Sequence, residues 1–112
     1  MEKRTYVITF KGVSGEIASR YASELRSALL DATPDVEVDQ RRADTHTQDF
    51  GSTLVLVLGT PAVLAVAKAM GDWLQKRQSA MIDIDEKNGR AHAENLTSKD
   101  ALRLAELFQP KK

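Results

Sequence analysis

The run from Leu54 to Ala67 constrains the fold more than any other stretch, because only Gly59, Thr60 and Pro61 within it are not apolar. A membrane-spanning helix needs about 20 predominantly apolar residues, and Lys68 and Asp72 arrive too soon. No membrane span is expected. Gly59-Thr60-Pro61 divides the run instead, since Thr60 followed by Pro61 has the form of an N-cap with proline at the first helical position. From Pro61 to Arg77 the period is helical. Val63, Leu64, Val66, Ala67, Met70, Trp73 and Leu74 form a broad apolar face, and Lys68, Asp72, Gln75 and Lys76 lie away from it. Lys76 and Arg77 complement the negative end of the helix dipole. The preceding TLVLVL, residues 53–58, admits two readings: a buried central strand, or a second apolar helix kinked at Gly59 to Pro61.

The flanking sequence places further elements. RTYVITF alternates Tyr6, Ile8 and Phe10 against Thr5, Val7 and Thr9, the period of a strand. Ser14 is a candidate N-cap, followed by a helix over about 14–31 with Ile17, Tyr21, Leu25, Ala28 and Leu29 on its apolar stripe. Pro34 ends it. VEVDQRR reads as a short peripheral strand, and residues 43–51 as a variable polar surface loop. Around Asn88-Gly89 the sequence signals a hairpin with a type I′ turn. That turn sets Lys87 opposite Arg90, Asp85 opposite His92 and Asp83 opposite Glu94. Ile82, Ile84, Ala91 and Ala93 then share the buried side. Thr97 and Asp100 have capping-box spacing before a last helix carrying Ala101, Leu102, Leu104, Ala105 and Phe108, and residues 109–112 form a tail.

The chain therefore reads as a single α+β domain over 1–112. It is two-layered, in the order β-α-β-(apolar strand or helix)-α-β-β-α, with helices packed on one sheet face. The expected core includes Tyr6, Ile8, Phe10, Leu25, Leu29, Leu56, Leu64, Ile82, Ile84, Leu104 and Phe108. Apolar residues at 42% and charged residues at 29% fit a globular chain. Lys plus Arg and Asp plus Glu both number 16, which argues against general nucleic-acid binding, because that needs a basic excess to displace counterions. The absence of cysteine excludes disulfides and thiolate chemistry. The start of the sequence shows no apolar signal segment, so the cytoplasm is the expected compartment.

No catalytic constellation emerges, and neither a cofactor nor a metal is expected. His46 near Asp44 and Asp49, and His92 facing Asp85, read as surface groups rather than ligands. Ser14, Ser52 and Ser79 lack a nucleophile-elbow context. Gly59 and Thr60 at a helix start are a candidate anion site, without P-loop or dinucleotide spacing. Ala65 and Ala69 leave little bulk beside Met70, Trp73, Lys76 and Arg77, which makes these six residues the candidate interaction surface.

The run LVLVLGTPAVLAVAKAMGDWLQKR, together with the Asn-Gly-Arg turn and the closing DALRLAELF, resembles the effector-associated constant component domains of bacterial conflict systems. The likeness covers residues 50–108, and the first strand and helix fit in kind. It implies a non-catalytic accessory or adaptor domain in prokaryotic immunity. Such a domain would assemble with itself as a homo-oligomer, or with an effector encoded nearby, such as a peptidase or nuclease. The alternative function is a sensor of small anionic ligands at Gly59 to Pro61.

Overall fold

The alternation of Tyr6, Ile8 and Phe10 with Thr5, Val7 and Thr9 makes β1 (Lys3–Lys11) the middle strand of a five-stranded sheet, ordered β2-β3-β1-β4-β5. In this computed structural model, residues 3–42, 52–77, 80–87, 92–100 and 103–104 are described. The remaining elements are α1 (Gly15–Ala32), β2 (Val36–Arg42), β3 (Ser52–Gly59), α2 (Val63–Lys76), β4 (Met81–Lys87) and β5 (His92–Leu96). Every strand pairing is antiparallel. Two helical connections each skip over one strand, α1 leading from β1 to β2 and α2 from β3 to β4. This is the split βαβ arrangement of ferredoxin-like folds, extended by β5.

Residues 53–58 are strand, which settles the two readings of the apolar run. Leu54, Leu56 and Leu58 point to the helices and are buried, whereas Val55 and Val57 on the opposite face are only half-buried. β3 is thus an interior strand covered on one face, not two. The core between sheet and helices also takes Ala18, Ala22, Leu25 and Leu29 from α1, and Val63, Val66, Ala67, Met70 and Leu74 from α2.

Leu64 departs from expectation, standing 67% exposed. One residue turns a helix by about 100°. Val63 at the edge of the buried stripe therefore carries Leu64 round to the row of Lys68 and Asp72. Of the other expected core residues, Leu104 is fully buried, and Phe108 lies outside the described residues.

The caps explain where elements begin and end. The Ser14 hydroxyl accepts from the Ile17 amide at 3.3 Å, starting α1. At its other end the Thr33 amide donates to the Leu29 carbonyl, and the Thr33 hydroxyl accepts from the Asp35 amide at 3.1 Å. Thr60–Ala62 form a 3₁₀ turn, and Ala62, without a side-chain cap bond, is the N-cap of α2. The α-helix proper therefore starts two residues later than the Thr60-Pro61 pattern predicts.

On the second hairpin Asp85 does oppose His92, but the ladder then slips so that Ile82 faces Leu96. Asp83 consequently meets two residues, Glu94 and Asn95, in a β-bulge. Asn95 takes φ 57°, a left-handed conformation that asparagine tolerates, and its amide donates to Asp83 Oδ1 at 2.9 Å. The Asn88-Gly89 turn, Arg90 and Ala91 lie outside the described residues. Thr97 realises the capping box: its amide donates to Asp100 Oδ2 at 2.9 Å.

Candidate functional site

Helix α2 has a buried side against the sheet and an outer side facing α1. The two helices are tied at one end by Arg77, whose guanidinium donates to both oxygens of Glu24 on α1 at 2.9 and 2.5 Å. Nearby, Phe10, Tyr21 and Trp73 pack as an aromatic trio. Trp73 stands edge-on to Tyr21 at 5.4 Å and to Phe10 at 5.9 Å. This geometry suits the ring quadrupoles and pins α1, α2 and β1 together. Trp73 is 6% exposed, and its Nε1 finds no hydrogen-bond partner among the described residues.

Beside this tie the helices part around a groove of about 430 Å³. Ala28, Asp31 and Ala32 of α1 form one wall; Ala65, Lys68, Ala69, Asp72, Trp73 and Lys76 of α2 form the other. Alanine makes the groove, because a side chain ending at Cβ cannot fill the space between two helices. Of the six residues expected from sequence to carry an interaction, Ala65, Ala69, Trp73 and Lys76 line it. Met70 is fully buried toward the sheet, and Arg77 is engaged by Glu24. Asp31, Lys68 and Asp72 were not among those candidates. For Lys68 and Asp72 a signal is present, since 68, 72 and 76 repeat at four-residue spacing beside Ala65 and Ala69; Asp31 on α1 has none.

The opposite face of the sheet, which no described element covers, differs in kind. Its middle holds Thr5, Val7, Thr9, Val55 and Val57, half-buried and without an aromatic ring. Its charges close on one another: Lys3 with Glu37 at 3.7 Å, Lys11 with Asp83 at 3.3 Å, and Arg41 with Asp39 at 2.8 Å. His92 bonds Asp85 through Nδ1 and Glu94 through Nε2, the latter at 3.0 Å. The bond to Asp85, then that to Glu94, raises its pKa above the ordinary imidazole value. With a carboxylate on each nitrogen the ring is poised as a doubly donating cation, not as a base. The buried phenol of Tyr6, its pKa raised by desolvation, is likewise a protonated core group.

Among the described residues no cluster of three or more potential metal ligands occurs, and no helix is long and apolar enough to cross a membrane. His46, Asp44 and Asp49 lie outside the described residues. Gly59 ends β3 opposite Lys3, upstream of the 3₁₀ turn, so its backbone belongs to the strand ladder rather than to the first turn of α2.

No curated protein and no solved structure matches the chain significantly. A family model does, over residues 2–106, and its description is the insert domain of RNA 3'-terminal phosphate cyclase (RTC). That span takes in all five strands, both helices and the groove between them. By this match the chain belongs to the RNA 3'-terminal phosphate cyclase insert-domain family.

Proposed function

We propose that the chain is a non-catalytic accessory or adaptor domain that acts in the cytoplasm and docks an effector protein in the groove between α1 and α2. The observation that carries this reading is the groove itself, whose walls combine alanines with charges of both signs. Concave surfaces of this kind between helices suit an inserted helix. The family description supports it, because an insert domain is named as an addition to an enzyme. The likeness of residues 50–108 to effector-associated domains supports a conflict-system effector, such as a peptidase or nuclease, as the partner.

RNA is the less favoured partner. The chain carries no net charge, and among the described residues the open sheet face offers no aromatic platform for base stacking. The sensor alternative at Gly59 and Thr60 retains only the general affinity of a helix N-terminus for anions.

The test is co-expression with the proteins encoded beside this chain. Copurification of an effector, lost in Ala65→Arg or Ala69→Arg while circular dichroism stays unchanged, is the expected result. Retention of the effector by both variants would rule the groove out.

A further inference from the structure

We infer that a second copy of this chain packs antiparallel along α2, placing Lys68 of each copy against Asp72 of the other. The inference rests on the helical layer being the assembly surface, and it gives the exposed ridge of α2 to a second copy while the groove beside that ridge is left to the effector. Leu64, Lys68, Asp72 and Lys76 recur every four residues and are all exposed. Residues at this spacing form a continuous ridge, and such ridges are what packed helices interdigitate. Leu64 is the most exposed large apolar side chain among the described residues. Lys68, Asp72 and Lys76 take part in no ion pair among the described residues, unlike the charges of the open sheet face.

A two-fold axis crossing the exposed side of α2 at the level of residue 70 brings these facts together. Positions equally far on either side of Met70 meet across such an axis, so Lys68 faces Asp72 of the other copy, and the same contact repeats by symmetry. Leu64 meets Lys76 in the same register, and the aliphatic stem of the lysine covers the leucine. Shifting the axis to Asp72 would set Lys68 against Lys76 and Asp72 against itself, so charge selects the first register.

Charge exchange tests this on the full chain, with mass measured by light scattering and sedimentation across a concentration series. The chain should be dimeric. Lys68→Glu and Asp72→Lys should each raise the dissociation constant about tenfold or more, since each replaces two attractions with two repulsions. The double variant should dimerise again, and the two single variants mixed should form a heterodimer. Leu64→Ser, a change at an exposed position, should also weaken the dimer. A chain that stays monomeric overturns the inference, as do reversals without effect or a folded double variant that remains monomeric. A monomer that still copurifies with an effector through the groove would overturn this inference alone. A dimer that binds no effector would overturn only the adaptor reading.

Discussion

The sheet and the helical layer each leave one surface uncovered, and the two are unlike. On the sheet, small β-branched side chains sit half-buried between charges that pair within the chain. On the helices, alanines open a groove, and the charges of α2 beside it pair with nothing among the described residues. A surface that satisfies its own charges gains little from a partner, because any new contact must first break existing ones. One that leaves charges and an exposed leucine open gains by being covered. The difference is the reason for proposing the helical layer, rather than the broader sheet, as the side that meets another protein.

Substitutions can break this comparison, and the largest effects belong to the layer between the two surfaces. Trp73→Ala removes the ring that joins α1, α2 and β1, and should cost about 3–5 kcal/mol in denaturant unfolding. Ile84→Ala, facing the helices from β4, should cost about 2–5 kcal/mol. Val57→Ala, on the open face of β3, should cost about 1 kcal/mol or less. Equal losses at Ile84 and Val57 would mean that the sheet is covered on both faces.

A middle-sized effect is expected at the start of α1. Ser14→Ala deletes the acceptor for the Ile17 amide and should cost about 1 kcal/mol. No loss there would show that the helix is held by packing alone.

The smallest effect tests the self-pairing of the sheet face. His92 has a raised pKa in the folded state. The stabilisation from its two carboxylates is therefore fully present below the unfolded imidazole value and is lost as pH rises through the folded one. Exposure and salt keep it small. In an NMR titration Asp85→Asn should lower the His92 pKa more than Glu94→Gln does. An unshifted His92 in the unmodified chain would contradict the pairing.

Much of the fold was legible in the sequence because its signals are local. Alternation marked β1, the cap and stripe marked α1, and Thr97 with Asp100 marked the 3₁₀ turn at Ser98–Asp100, while most of the helix expected after it lies outside the described residues. Facts decided by tertiary contact were not. TLVLVL is apolar at every position but its first, so only the helices above β3 distinguish Leu56 from Val57. Leu64 looks like core because an apolar residue beside an apolar stripe carries no sign of which way it turns. The bulge at Glu94 and Asn95 moves the register by one residue, which a turn-based count cannot foresee.

Of the candidate site, the alanines and Trp73 of α2 were visible. The opposing wall of Ala28, Asp31 and Ala32 was not, because no local pattern reports which helix lies beside which.

Methyl-resolved NMR on the full chain, followed as the effector proposed for the groove is added, tests the central claim most directly. The account predicts that the methyls of Ala65 and Ala69 shift while those of Val7, Val55 and Val57 stay in place. Movement of the valines with silence at the alanines would put the partner on the sheet and contradict it.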